Sequence, residues 1–131
     1  IWTRQYDIYE SGDADGDGTE DGIEAAGRLA SDLNALPETE DVVVVVATAD
    51  EPQRHRLSNG LESAMYSIGA SGDVYGASNS EPGPFTYRSA YALVGSPGLN
   101  KGEAYLERYA GNLDREEDSW LDVTYEIETD R

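Results

Sequence analysis

The chain contains no cysteine. Disulfides, thiolate metal sites and cysteine nucleophiles are therefore excluded, and the redox compartment is left open. Cationic residues are scarce: one lysine, Lys101, and eight arginines stand against 27 acidic residues, giving a formal net charge of −18 and an isoelectric point near 4.1. A nucleic-acid surface needs lysine and arginine to neutralise phosphates, so this balance argues against nucleic acid and equally against anionic membranes. The longest apolar run, Val42 to Ala47, falls far short of the ~20 residues of a membrane-spanning helix. His55 is the only histidine, which removes histidine-pair zinc sites. No nucleophile elbow, P-loop or dinucleotide fingerprint is present, and 27 acids offer no means of choosing a glycosidase pair.

What is present reads as one domain over residues 1–131, since 131 residues with 38% hydrophobic content are enough for one core. The acidity reads as adaptation to high salt. Dense carboxylates hold water and cations there, and a screening length of about 3 Å at 1 M tolerates the self-repulsion. The start at Ile1 fits a processed secreted protein or a domain cut from something longer.

Trp2, Tyr6 and Ile8 alternate with polar neighbours and predict a strand over Ile1 to Tyr9. Ile23, Ala26, Leu29, Ala30 and Leu33 recur at helical spacing and predict a first helix ending near Leu36, ahead of Pro37. Val42 to Ala47 has no alternation, the pattern of a strand covered on both faces. Leu61, Met65 and Ile68 predict a second helix, capped by the Ser58 hydroxyl and closed by Gly69. A glycine- and serine-rich loop, Gly69 to Pro84, leads to a strand near Tyr87 to Val94. Pro97 to Gly102 is a turn, Glu103 to Tyr109 fits helix or strand, and Trp120, Val123, Tyr125 and Ile127 form a last strand pattern. The fold class expected is α+β, a largely antiparallel sheet or pair of sheets flanked by two helices.

Asp13 to Glu24, DADGDGTEDGIE, carries the first chemical signal. Asp13, Asp15, Asp17, Thr19, Asp21 and Glu24 occupy positions one, three, five, seven, nine and twelve of a calcium loop, with Gly18 at position six for the sharp reversal. Calcium needs this many hard oxygens because each replaces part of its water shell. Two departures mark the loop: no entering helix precedes it, and Glu20 stands at position eight, where an apolar residue usually packs. It thus resembles thrombospondin-type or dockerin-type loops more than a paired sensor, and the ion's role would be structural. The competing reading is a solvated acidic loop.

The second signal is a pair of charges at strand ends. Asp50 and Glu51 follow the valine strand, and Arg88 follows Tyr87 at the start of the later one. An acid and an arginine on neighbouring strand ends make either a structural ion pair or a pocket for hydroxyl-rich ligands. Phe85, Tyr87 and Tyr91 beside Arg88 are either core or an aromatic face for a sugar ring. His55, between Arg54 and Arg56, borders this pocket or is an exposed loop residue.

The order TRQYDIY at Thr3 to Tyr9, a helix, VVVVVATADE, a second helix ending SIGAS, then YRSAYALVGSPG at Tyr87 to Gly98 resembles the interleukin-like EMT inducer family (FAM-three or PANDER-like domains). The likeness covers nearly the whole chain and would make the acidic loop an insertion at 13–24, in a haloarchaeal or haloarchaeal-virus version of the domain. It implies a β-β-α domain with antiparallel sheets and two helices. In sugar-binding members the matching acid and arginine touch the sugar, which implies Asp50 and Arg88 here, with Glu51 and Tyr87 adjoining. Ser89, after the arginine, and the longer loop carrying Asn79, Glu81, Pro82 and Pro84 depart from the family pattern. The expectation is a non-catalytic extracellular module binding a cell-surface glycan or glycoprotein, in a viral tail, an adhesin or a host surface protein, with Ca2+ as cofactor. The alternatives are a structural subunit of a filament or virion, acting through protein contacts, and a carbohydrate-active enzyme.

Overall fold

The computed structural model describes residues 2–39, 41–49, 51–77, 89–110 and 123–126. Helix α1, Asp21–Asn34, buries Gly22, Ala25, Ala26, Ala30 and Leu33, the face set by the apolar spacing. Its small residues let it pack on α2, Leu61–Tyr66, which contributes Leu61, Ala64 and Met65. The end of α1 falls as expected: the Ala35 N–H donates to the Ser31 carbonyl, and Pro37 stands beyond.

Three strands, β1 (Val44–Ala47), β2 (Ala90–Gly95) and β3 (Leu106–Ala110), form an antiparallel sheet in the order β1-β2-β3. Val46 faces Leu93 across the first pair, and Tyr91 faces Tyr109 across the second. Tyr91 and Leu93 of β2 join Leu61, Met65 and Ile68 in the core, with Val44 and Val46 packed against them. Full burial of side chains of this size contributes about 1.5–3 kcal/mol each. The domain is therefore α+β, with a three-stranded antiparallel sheet and two helices among the described residues.

Four expectations are corrected. The valine strand is not covered on both faces: exposure alternates along it, and Val45 is 65% exposed while Val44 and Val46 face the core. Val44 and Val46 pack on the cluster that holds residues of both helices, while no described residue is seen to cover Val45 on the other side. Residues 2–8 form no strand. They are tied to α1 through side chains instead: Arg4 pairs with Asp32 at 3.0 Å, Tyr6 donates to the same carboxylate, and Ile8 packs on the core. Ser58 does not cap α2 through its hydroxyl. The N-cap is Gly60, left-handed at φ 84°, and Ser58 contributes its backbone carbonyl to the Leu61 N–H. Val123–Glu126 takes no regular structure, and the remainder of the last predicted strand, Trp120 and Ile127 included, lies outside the described residues.

One open point is settled and one expectation holds. The segment that fitted helix or strand is a strand over Leu106–Ala110. Gly69 does close α2, at φ 107°, with its N–H donating to the Tyr66 carbonyl. The loop after it carries a core residue, Tyr75, that no periodicity marks.

Candidate metal site in the acidic loop

Between Asp13 and Asp21 the carboxylates accept the loop's own backbone N–H groups. Asp13 Oδ1 takes Gly16 at 3.0 Å and Asp17 at 3.2 Å, and its Oδ2 takes Gly18 at 2.8 Å. Asp15 accepts from Asp17, Asp17 from Thr19, and Asp21 from Ala14. Short aspartates favour such turns because their oxygens reach a donor two residues on. Gly18, at φ 90°, supplies the left-handed step expected of position six. The Asp21 N–H closes the loop on the Gly12 carbonyl at 2.7 Å, and Gly22 on that of Glu10 at 2.9 Å.

The turns gather the acids. One carboxylate oxygen each from Asp13, Asp15 and Asp21 lie within 4.8 Å of one another, and so do those from Asp15, Asp17 and Glu24. Five of the six expected ligand residues thus fall into two groups of three, with Asp15 common to both. Thr19, the sixth, was expected to act through its carbonyl, and its N–H is bonded to Asp17 at 2.8 Å. Crowding alters the protonation chemistry. Glu24 is pushed up to about 7, first by its hydrogen bond with Asp17 and then by desolvation and the nearby charges of Asp15, Asp17 and Asp21. Asp15 is also raised, by Asp13, desolvation and Asp17, although the Asp17 N–H opposes this, whereas Asp13 is held low, chiefly by the Gly18 N–H. An all-oxygen set carrying this much uncompensated charge fits a hard divalent cation. An open cleft of ≈750 Å³, lined by Asp15, Glu24, Arg28 and Asn59, gives solvent access to two of these acids.

Position eight shows how the departure at Glu20 is resolved. Glu20 Oε2 lies 2.7 Å from His55 Nε2, and its other oxygen lies 3.6 Å from Arg54. His55 Nδ1 meets the Ile8 carbonyl at 2.6 Å. His55 is 7% exposed, so the single histidine is not an exposed loop residue. It clips the approach to the acidic loop onto the turn before α2. Gly22 leaves room for it, since a Cβ there would stand 2.5 Å from Nδ1. Sequence reading missed this clip; a glutamate in place of the usual apolar residue was its one trace.

For the expected sugar pocket, Asp50, Tyr87 and Arg88 lie outside the described residues, as do Asn79 and Phe85. Glu51 is described: it is 5% exposed, and its carboxylate accepts the N–H groups of Gln53 and Arg54 at 3.0–3.1 Å, capping its own turn. Tyr91 belongs to the core and donates to Glu107. Ser89, next to Arg88, is 2% exposed, and its hydroxyl has no hydrogen-bond partner among the described residues.

Comparison of the chain with protein-family models, with curated proteins and with solved structures finds no match. The functional reading accordingly stands on the residues and geometry above.

Proposed function

We propose that this chain is a non-catalytic extracellular binding module for a high-salt setting, in which Ca2+ held by Asp13, Asp15, Asp17, Asp21 and Glu24, with the Thr19 carbonyl, fixes the acidic loop onto the domain. The observation that carries this reading is the gathering of acids at calcium-loop spacing into two three-carboxylate groups that share Asp15. The ion would neutralise the cluster at the start of α1, whose first N–H groups are already bonded to the Gly12, Glu10 and Glu20 carbonyls. The clip through Glu20 and His55 would pass that order on to α2.

The ligand class in this proposal is a cell-surface glycan, held by Asp50 and Arg88 with Glu51 and Tyr87 beside them, in an interleukin-like EMT inducer arrangement. Its support is the sequence resemblance; the Glu51 carboxylate accepts the N–H groups of its own turn. A second reading, a structural subunit working through protein contacts, is favoured by one observation: the apolar side of β1 is open.

Calorimetric titration of the folded protein in molar NaCl tests both parts. Saturable heat with CaCl2, abolished in Glu24→Gln, is expected; no heat from folded wild-type protein rejects the metal. Glycans released from a halophilic cell envelope are titrated next. Binding lost in Arg88→Ala with folding intact is expected, and absence of heat with all of them leaves the structural-subunit reading.

A further inference from the structure

The edge strand β1 lies in a run, Val42 to Ala49, that holds no charge, glycine or proline. Its neighbour in the sheet is β2, and on its other side no described residue pairs with it. Val43 and Val45, 37% and 65% exposed, project away from the helices. Natural edge strands are ordinarily blunted by charges, proline or bulges, because an unpaired apolar edge is a template for another strand. The opposite edge, β3, is blunted in this way, carrying Glu107 and Arg108. In a chain with 27 acids, an unguarded edge is the exception that calls for an occupant.

The chain also carries a strand pattern with no place in the described sheet. Leu121 to Glu128, LDVTYEIE, alternates apolar and polar residues without a break. Its described part, Val123–Glu126, is in no ladder, and Val123 and Tyr125 are 36% and 42% exposed. An edge with no partner among the described residues and a strand pattern in no described ladder, both within one sequence, complement each other between copies.

We infer that β1 is a strand acceptor and that its occupant is the alternating segment around Val123–Glu126 of a second copy of this chain. Strand addition supplies backbone hydrogen bonds along the whole edge, and the apolar side chains of the incoming segment extend the Val43 and Val45 row. Donor and acceptor are different surfaces, so the contact is heterologous and builds a ring or an open filament rather than a closed two-fold dimer. The arrangement belongs to concentrated salt: donor and acceptor both carry acids, Glu126 on the one and Asp41 on the other, and at 1 M a screening length of about 3 Å removes most of their repulsion. The inference is independent of whether the domain binds a glycan.

The absence of native cysteine makes the test direct. Single variants Val45→Cys and Val123→Cys, each at an exposed position, are mixed in molar NaCl with oxidised glutathione. A disulfide-linked heterodimer at several times the yield of either homodimer is expected. A dominant Val45→Cys homodimer would overturn the inference in favour of symmetric β1 pairing. An intrachain bond in the double variant at high dilution would overturn it in favour of the chain's own segment. Sedimentation of the unmodified chain supplies the second measurement: concentration-dependent assembly that shifts at least tenfold in Val123→Asp/Tyr125→Asp supports it, and a monomer at all concentrations refutes it.

Discussion

His55 and Glu20, 35 residues apart in sequence, meet at 2.7 Å, and the other ring nitrogen of His55 meets the Ile8 carbonyl at 2.6 Å. Both partners are acceptors, so the ring fills both bonds only when it carries both protons. His55→Ala leaves the Ile8 carbonyl without this donor and parts the loop from the turn before α2. A loss of about 1–3 kcal/mol is expected from urea unfolding in molar salt. An unchanged midpoint would show the clip to be idle.

Glu24 gives the calcium prediction. Saturating Ca2+ at about 100 times its dissociation constant stabilises a native-only site by about 2.7 kcal/mol. Calcium, and not the same ionic strength of NaCl, should therefore raise the melting temperature by several degrees. In Glu24→Gln the rise should vanish, because the twelfth position supplies two of the oxygens. A rise that persists in the variant would place the ion elsewhere.

Tyr91 sets an alkaline limit. Its hydroxyl is buried and donates to Glu107 Oε2 at 2.5 Å; burial, then that bond and the Glu107 charge, raise its ionisation well above the usual tyrosine range, and burial raises Tyr75 as well. A pKa raised in the folded state means stability fully present below the unfolded value of about 10 and lost as pH climbs beyond it. Urea midpoints should hold level from pH 8 to about 10 and then fall, with a shallower fall in Tyr91→Phe. Equal slopes for both proteins would reject this assignment.

Two glycines separate strain from collision. At Gly18, φ 90°, an added Cβ meets nothing within 4 Å, so Gly18→Ala should cost about 1 kcal/mol through backbone strain. At Gly69, φ 107°, a Cβ would sit 2.5 Å from the Ala104 nitrogen and 2.7 Å from its Cα. Backbone cannot swing aside, so Gly69→Ala should cost about 3 kcal/mol or more. Paired denaturation curves showing equal losses would contradict the packing at Ala104.

Ser89 predicts a gain. Its buried hydroxyl lacks a partner among the described residues, and a buried unsatisfied polar group costs about 1–3 kcal/mol. Ser89→Ala should be neutral or stabilising in the melting temperature. A clear loss would reveal a bond to this hydroxyl.

Helical spacing made α1 legible, because its buried residues follow the stripe that the sequence repeats. The gathering of acids in the loop was legible for another reason: their spacing is local, so Asp13, Asp15, Asp17, Asp21 and Glu24 could be counted along the chain. Val42 to Ala47 misled because a run of valines looks alike whether one face is covered or two; the absence of alternation carries no information once both sets are apolar. Residues 2–8 misled through propensity, since their anchors are side chains of α1 rather than a neighbouring strand. The burial of His55 and Tyr75 depends on contacts made by residues distant in sequence, which no local pattern records.

Arg56 is 1% exposed, and its guanidinium donates to the carbonyls of Gln53, Tyr75 and Ala77, while the Tyr75 hydroxyl donates back to the Arg56 carbonyl at 2.6 Å. Were the medium a brine, as proposed, its ions would bathe the exposed acids but not this buried staple. Diluting the medium should therefore dismantle the domain from the outside inward. Amide protons of the acidic loop should exchange first, and those of Arg56 and its turn should persist until the whole domain opens.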